Sequence, residues 1–570
     1  MTGPARANLV ITGRIATLGG GAGFGWQGAM AIAGGRVLAV GEDSDLESFV
    51  GPGTQRWRLA DDLVVMPGIT DAHLHLMTLV LAERQLDLTG ANLDGALTAI
   101  GARHRQLLAT GDGDGWLLGH GWSLHELGKW PDTRVLESVA PNRPIALYAH
   151  DHHTRWVSRR ALEMAGIGAD STDPDGGLIR RDGEGKATGI LHEVASVLVD
   201  SAIPSPTAEQ LAAAIDRVAA QLAGLGLTGC HDPGELTADS DMERGPVFYR
   251  SLAARGRLPM RVHSSIRAPQ LDRAIDLGLF SGQETQPEVG GDRMLADRSA
   301  RYRMGWLKLF ADGSLGSRSA ALLAPYEDAD TNPPTGGARG MVLTDAEELS
   351  ELLARAATAG ISGQVHAIGD AAVRSVLDVF AGTPQRADQG SPRLMRRIEH
   401  AQLVDPADMA RFGGLGLAAS LQPVHLRSDA ATARVAWGER SENTFPLRAL
   451  IDGGALIPLG TDAPVEPADP WPGIAVAVVR RDPFKVDDPL TGAHHAISLE
   501  RAIRAACLDP AMVAAEPLLG RLMPGYRADL LVVSAQRFSE PFDAAAFART
   551  RPLVTMIDGE VVHRSDAFDG

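Results

Sequence analysis

Two histidines in the stretch VVMPGITDAHLHL, residues 64–76, are the first side chains from which a chemistry can be argued. His73 and His75 stand two positions apart after an apolar run, so both rings lie on one side of the chain if the segment is extended. Neutral imidazole is a common metal ligand, and a strand end holds two rings without hinge motion. The pair indicates a divalent metal site, and the alternative is two ordinary polar residues at a strand end.

Other residues that can bind a metal lie at or near the ends of apolar runs later in the chain: Lys308, His366, His400 and Asp462. If those runs are parallel strands of one barrel, the side chains converge with the histidine pair at a single mouth. Imidazoles and a carboxylate can bind one or two divalent ions and leave a position open for water. Two ions need a bridging group, and an unmodified lysine ammonium repels cations.

Lysine is scarce in this sequence, and one lysine lies in a candidate strand. Of 54 basic residues only Lys129, Lys186, Lys308 and Lys485 are lysine. A lysine amine can lose its proton and react, whereas a guanidinium cannot. Neutral sequence drift explains some of these lysines. Lys308, however, lies in a candidate strand beside the predicted metal ligands, where a reactive amine could take part in the chemistry.

The middle of the chain alternates short apolar runs with longer segments of helical period, which is typical of parallel α/β folds. Helices are predicted over residues 207–223 and 345–359, for example. Eight runs end in polar residues, and eight is the number of strands that a (β/α)8 TIM barrel requires. These predicted strands are residues 64–75, 226–232, 259–265, 305–312, 361–367, 396–401, 416–422 and 456–462.

Both ends of the chain contain short β segments with glycine-rich turns. Residues 1–66 and 515–570 are predicted to share one small β-sandwich domain, and two unrelated β appendages are the alternative. Residues 67–514 are the predicted barrel. The gap after its first strand, residues 77–225, is too long for one crossover and predicts an insertion. We expect this insertion to cover the active site, because it leaves the barrel at its C-terminal face.

Composition narrows the class of protein. The 570 residues are 44% hydrophobic and 22% charged, which is ordinary for a globular enzyme. The net charge of -17 argues against binding to nucleic acid or an anionic membrane surface. Two cysteines, Cys230 and Cys507, cannot form a disulfide framework, and no window has the length and apolarity of a membrane span. With no signal-peptide pattern at the N-terminus, the expectation is a cytoplasmic protein.

Six motifs in order, MPGITDAHLH, KLFADGSLGSRSA, VHAIGD, RIEHAQ, SLQPVH and PLGTDAPVEP, resemble the amidohydrolase superfamily. The similarity is to its amidohydrolase-3 branch, which includes N-substituted formamide deformylases. It covers nearly the whole chain, including the terminal β segments and the insertion.

The resemblance implies a role for each metal-binding candidate. His73 and His75 resemble ligands of the more buried metal, and His366 and His400 resemble ligands of a second. Lys308 looks like the lysine that is carboxylated to a bridging carbamate. Asp462 is similar to the aspartate that binds metal and shuttles protons. Zinc is the expected ion, with one or two per subunit; manganese and iron are the alternatives.

The implied activity is hydrolysis of a non-peptide amide-type C–N bond in a small molecule, by attack of metal-bound hydroxide with Asp462 as the proton carrier. The substrate would be an N-substituted amide, a formamide or a cyclic amide. Esters, lactones or carbamates are the alternative substrates, and a non-catalytic binding or regulatory protein is the alternative class. A homodimer is expected, because it is common among such relatives.

Five further residues are candidate substrate contacts: Trp122, His153, Arg318, Gln422 and His425. For Trp122 a packed core position is the alternative, and for Arg318 it is a salt bridge that fixes a loop. His231 and His263 also occupy strands, but they are expected to form hydrogen bonds rather than bind metal. The pair His494 and His495 is expected in a surface loop.

Overall fold

The computed structural model describes residues 6–109, 115–149, 154–174, 177–236, 242–288, 293–330, 337–383 and 394–568. The chain divides into two compact units. One comprises Met1–Leu79 with Asp216–Gly570, and the other comprises Val80–Ile215. The second unit lies within residues 77–225, the segment predicted as an insertion. None of the helices described is both long and apolar enough to cross a membrane.

The described strands, in chain order, are β1 (Leu9–Ala16), β2 (Trp26–Ala33), β3 (Arg36–Gly41), β4 (Gln55–Arg58), β5 (Leu63–Pro67), β6 (Ile69–Asp71), β7 (Leu86–Asp87), β8 (Leu117–Trp122), β9 (Ile145–Ala149), β10 (Thr154–Val157), β11 (Gly177–Arg181), β12 (Ala187–Glu193), β13 (Leu227–Asp232), β14 (Arg261–Arg267), β15 (Tyr302–Phe310), β16 (Gly363–Ala367), β17 (Arg397–His400), β18 (Ala418–Ser420), β19 (Leu530–Ser534), β20 (Val554–Ile557) and β21 (Glu560–Arg564).

The described α-helices are α1 (Asp43–Leu46), α2 (Leu76–Glu83), α3 (Leu93–Ala109), α4 (Leu124–Leu127), α5 (Thr133–Val139), α6 (Arg159–Met164), α7 (Ala208–Gly224), α8 (Pro246–Ala254), α9 (Leu271–Asp276), α10 (Arg293–Ser299), α11 (Ala346–Thr358), α12 (Asp370–Gly382), α13 (Pro406–Gly414), α14 (Leu426–Trp437), α15 (Leu447–Asp452), α16 (Pro470–Val479), α17 (Leu499–Val513) and α18 (Ala544–Ala548). The helix α11 shows why they form: Asp345 caps it by accepting the N–H of Glu348, and Leu349, Leu353 and Ala356 recur on its buried face.

A parallel sheet of seven strands carries the candidate site, in the order β18-β17-β16-β15-β14-β13-β6. The predicted eighth strand, residues 456–462, is not a regular strand, because Pro458 has no N–H to donate to a ladder. The segment still forms backbone hydrogen bonds with the chain on both sides of it. The N–H of Ala419 donates to the carbonyl of Leu456 at 3.0 Å, and the N–H of Ala72 donates to that of Leu459 at 3.0 Å. Residues 456–462 therefore join the two edges of the sheet in a TIM-barrel-like arrangement.

A second sheet of the same unit combines both ends of the chain, as the sequence predicts. Its order is β21-β20-β19-β5-β1-β2-β3, with β4 paired to β1. Strand β5 lies parallel to β1 and antiparallel to β19. The division of this sheet into a sandwich stays a prediction. Because β6 begins two residues after β5 ends, the terminal sheet leads directly into the strand that precedes His73.

The unit Val80–Ile215 has its own six-stranded sheet in the order β11-β12-β10-β9-β8-β7. Its core includes the tryptophan rings Trp122 and Trp156, both buried, with centroids 6.2 Å apart. The unit therefore has a hydrophobic core of its own.

Candidate active site

All six predicted metal-binding residues lie toward the C-terminal ends of the barrel-like sheet. His73 and His75 follow β6, Lys308 lies near the end of β15, His366 lies in β16, His400 ends β17, and Asp462 ends the segment 456–462. Each side chain is buried or nearly so.

The tightest group is formed by His73, His75 and Asp462, whose candidate ligand atoms lie within 4.8 Å of one another. Nε2 of His75 is 3.2 Å from Oδ1 of Asp462. Nε2 of His73 is 3.4 Å from the same oxygen. Two imidazole nitrogens therefore converge on one carboxylate oxygen.

The hydrogen-bond partners of the two Nδ1 atoms indicate which nitrogen of each ring carries a hydrogen. Nδ1 of His75 contacts the carbonyl oxygen of Gly234 at 2.5 Å, and Nδ1 of His73 contacts the carboxylate of Glu399. Both partners can only accept, so both Nδ1 atoms donate. Burial lowers the pKa of His73 to about 4, which keeps its ring neutral at neutral pH. Its Nε2 then presents a bare lone pair to Asp462 and has no hydrogen-bond partner among the described residues.

Such an arrangement fits a cation. The carboxylate oxygen and the bare Nε2 lone pair of His73 repel each other at 3.4 Å unless a positive charge lies between or beside them. Imidazole nitrogen and carboxylate oxygen are also the donor types that Zn²⁺ prefers. The residues present therefore suit a divalent metal ion.

His366 and His400 stand next to this group. The ring of His400 is 5.0 Å from that of His73 and 4.6 Å from that of His366, measured between centroids. Nδ1 of His400 lies 2.9 Å from Oε1 of Gln422, and Nε2 of His366 donates to the carbonyl of Gly313 at 3.0 Å. Burial lowers the pKa of His366 to about 3 and lowers that of His400 well below its usual value, so both rings are neutral.

Lys308 is buried, and within the described ranges its Nζ has no hydrogen-bond partner. The nitrogen lies 4.8 Å from the ring centroid of Phe310. Burial lowers the pKa of Lys308 to about 7. A substantial fraction of the amine is therefore neutral near pH 7, which an ordinary lysine does not show.

The backbone turns sharply at two of the candidate ligands. His400 has a φ of 68° and Asp462 a φ of 63°, a region that non-glycine residues seldom adopt. Asp71 helps to hold the second turn, because its carboxylate accepts the N–H of Thr461 at 3.1 Å and the hydroxyl of Thr461 at 2.6 Å. A Cβ at Gly460 would lie 2.6 Å from the N atom of His73, so only glycine fits there. The backbone geometry at Asp462 is thus set by tight contact with β6 and with His73, which follows it.

The structure places two of the five predicted substrate contacts beside the metal-binding candidates. Gln422 contacts His400, as described above. Nε2 of His425 lies 3.4 Å from Oδ2 of Asp462 and Nδ1 of His425 lies 4.0 Å from Glu466. Their contact with substrate stays a prediction.

Two more of the predicted substrate contacts, Trp122 and Arg318, match the alternatives to substrate binding. Trp122 is buried in the core of its unit and donates from Nε1 to the carbonyl of Leu147 at 2.9 Å, which matches the packed-core alternative. Arg318 forms a buried ion pair with Asp328 at 2.6 Å, which matches the loop-fixing alternative. His153 lies outside the described residues.

Some important contacts were not predicted from the sequence. Glu399 directly precedes His400 in β17 and accepts a hydrogen bond from His73. Arg397, two positions before Glu399, forms an ion pair with it. The alternation of Arg397 and Glu399 on one side of β17 is the one signal for this pair, but their partners are far away in sequence. Nδ1 of His231 accepts from Arg397 at 2.9 Å, in line with a hydrogen-bonding role for His231.

The expectation of a surface loop is wrong for one histidine of the pair His494 and His495. His495 is buried, with 3% of its surface exposed, while His494 is exposed. The centroids of the two rings are 4.0 Å apart, and their planes are tilted by 44°.

Comparison with known proteins places these features in a family. A profile of the amidohydrolase family matches residues 60–563. The chain is 31% identical over 523 residues to the putative amidohydrolase YtcJ of Bacillus subtilis, covering 91% of this chain and 92% of that protein. It is 27% identical over 558 residues to the N-substituted formamide deformylase of Arthrobacter pascens, covering 93% and 94%.

A solved structure agrees with the sequence matches. An uncharacterized metal-dependent hydrolase from Pyrococcus furiosus superposes with a TM-score of 0.69 at 27% identity, covering 92% of this chain and 98% of that one. The profile, the full-length relatives and the barrel-like sheet all agree: the chain belongs to the amidohydrolase family and is a hydrolase.

Proposed function

We propose that this protein hydrolyses a non-peptide amide-type C–N bond of a small molecule with the help of a divalent metal ion. The observation that carries the proposal is the convergence of two imidazole nitrogens, Nε2 of His75 and the bare Nε2 of His73, on Oδ1 of Asp462. This geometry is unfavourable without a cation, and the surrounding residues are buried. The similarity to a metal-dependent hydrolase of known structure supports the same conclusion.

The ion would be held by His73, His75 and Asp462, with zinc as the first candidate and manganese or iron as alternatives. When bound, such an ion lowers the pKa of a coordinated water toward neutrality and polarises a carbonyl oxygen. His366 and His400 would contribute to a second ion. The buried, partly neutral amine of Lys308 is suited to attack carbon dioxide through its nitrogen and lose a proton, giving an anionic carbamate that can bridge two ions.

Asp462 is suited to carry the proton of the reaction. Its Oδ1 faces the two histidines, and its Oδ2 faces Nε2 of His425 at 3.4 Å. Burial acts to raise the pKa of Asp462, but its polar contacts, which include a hydrogen bond from His425, hold that pKa well below its usual value. The carboxylate is therefore available to accept a proton from the attacking water and to return it to the leaving nitrogen.

The substrate class rests on the relatives and on the chemistry of the site. The similarity to a protein named N-substituted formamide deformylase favours an N-substituted amide, a formamide or a cyclic amide. The same residues would also act on an ester, lactone or carbamate carbonyl, so substrate tests must include both bond types.

The experiment is a hydrolysis screen with full-length protein that has been stripped with a chelator and reloaded with zinc or manganese. The panel contains N-formyl, N-acyl, cyclic amide and ester compounds. We expect turnover of an amide member that disappears on stripping and returns on reloading. Turnover of esters alone would overturn the assignment of the bond, and full activity of the stripped protein would overturn the role of the metal.

A further inference from the structure

Glu399 is fully buried inside the barrel-like sheet and contacts a predicted metal ligand directly. One of its carboxylate oxygens, Oε2, accepts from Nδ1 of His73, a residue that lies far away in the sequence. The other oxygen, Oε1, accepts from Nε of Arg397. Both oxygens of this carboxylate are therefore engaged, one of them by the ring of His73.

Arg397 also donates to Oε2 of Glu399, at 3.1 Å, and holds this carboxylate in place. Its guanidinium donates to the carbonyl oxygen of Ala72 at 2.5 Å and to Oγ of Ser420 at 2.8 Å. It also lies over the ring of Trp306, 4.8 Å from its centroid. Because Ala72 directly precedes His73, the same arginine holds both the backbone before His73 and the carboxylate that bonds its ring.

The contact has a chemical consequence at the far side of the ring. An ionised carboxylate is an acceptor only, so it selects the tautomer of a neutral imidazole in which Nδ1 carries the hydrogen. In that tautomer Nε2 has a free lone pair, and Nε2 is the atom that faces Asp462. In the other tautomer Nε2 would carry a hydrogen and could not bind a metal.

We propose that Glu399, held by Arg397, is a positioning residue that keeps His73 in the tautomer and orientation required for metal binding. This inference rests on the proposed function, because it assigns a role toward the ion that His73 would bind. Carboxylates in this position also raise the basicity of the imidazole that they contact. Glu399 thus acts on the metal through His73 and does not itself touch the reacting atoms.

The test measures zinc affinity of the full-length protein by competition with a chromogenic chelator. Glu399→Gln retains the shape of the side chain but lacks the charge, and we expect zinc to bind about 10- to 100-fold more weakly. Glu516→Gln is the matched control. Glu516 is also a buried carboxylate that pairs with an arginine, Arg303 at 2.6 Å, and faces a histidine, His263 at 3.6 Å, but it is not in contact with the predicted ligands. We expect this control to keep the affinity of the wild type.

A second measurement determines the tautomer of His73 in the wild-type protein, and a variant is used for the assignment only. Nitrogen NMR of histidine-labelled, metal-free wild-type protein, with His73 assigned by its loss in His73→Asn, should show the Nδ1–H tautomer. An Nε2–H tautomer would overturn the inference. Equal zinc affinity of Glu399→Gln and wild type would also overturn it and would leave the proposed function intact. Failure of the wild type to bind zinc, manganese or iron would overturn both.

Discussion

Nε2 of His73 lies 3.4 Å from Oδ1 of Asp462 and carries no hydrogen, because Nδ1 of this neutral ring donates to Glu399. The metal-free protein therefore retains an unfavourable contact that a bound cation would relieve. Proteins keep such contacts where function requires them, at a cost in stability.

Replacement of Asp462 by asparagine should separate activity from stability. We expect Asp462→Asn to lower kcat by about 10²- to 10⁴-fold, because the amide cannot accept the proton. The metal-free variant should resist urea at least as well as the metal-free wild type, since the amide can donate to the imidazole lone pair. The control is Asp408→Asn, which removes a buried carboxylate paired with Arg374 and Arg411 on a peripheral helix. It should lose stability and keep kcat, and full activity of Asp462→Asn would contradict the proposed role.

Gly460 should not tolerate even an alanine. A Cβ there would lie 2.6 Å from the N atom of His73 and 2.9 Å from Oδ1 of Asp71. We expect Gly460→Ala to cost about 1–3 kcal/mol in the free energy of unfolding, as overpacking does, and to weaken zinc binding because His73 must shift. Gly382→Ala is the control, since its Cβ would meet nothing within 4 Å. Urea denaturation and chelator competition measure both effects, and unchanged zinc affinity in Gly460→Ala would show that the contact does not position His73.

Arg318 should act through its ion pair with Asp328. The two side chains meet at 2.6 Å and both are largely buried. In a double-mutant cycle with Arg318→Gln and Asp328→Asn, we expect a coupling energy of about 0.5–3 kcal/mol in stability, as residues in contact show. A KM for the best substrate of the screen that rises in Arg318→Gln and not in Asp328→Asn would instead support direct binding of substrate by Arg318.

His495 should make the protein less stable in acid. Burial lowers the pKa of His495 from 6.5 to about 3, so the unfolded chain binds a proton between these pH values and the folded chain does not. The free energy of unfolding therefore decreases as the pH falls through this window, by up to about 1.4 kcal/mol per pH unit from this group. In His495→Leu that contribution is absent. Urea denaturation from pH 8 to pH 4 should show a constant difference between the two proteins above pH 6.5 and a growing advantage of the variant below it. Parallel curves throughout would exclude this role.

Local patterns in the sequence were sufficient to predict where the candidate ligands lie. His366 and His400 were expected at strand ends, and β16 and β17 do carry them there. The strand predicted over residues 456–462 keeps its hydrogen bonds to both neighbours although Pro458 interrupts its regularity. Period and motif predict such features because they depend on residues close together in the chain.

Contacts between distant parts of the chain were not predictable in this way. The hydrogen bond between His73 and Glu399 joins a residue that follows β6, at one edge of the sheet, to β17, which lies next to the other edge. Neither local sequence specifies this contact. The burial of His495 depends on packing against other segments, which two adjacent histidines before a helix do not reveal. The place of Trp122 in a core was one of two open alternatives, because an isolated tryptophan has no period from which its surroundings can be deduced.

The pairing of β5 with β19 has a consequence for biosynthesis. Strand β5 hydrogen-bonds along one edge to β19, which the ribosome makes only after the whole barrel-like sheet and the unit Val80–Ile215 have emerged. Until then the nascent chain exposes an unpaired edge composed of Leu63, Val64, Val65 and Met66, and such edges template aggregation. Protection of this edge during translation, by a chaperone or by transient cover within the chain, is therefore a requirement that this topology places on the cell that makes the protein.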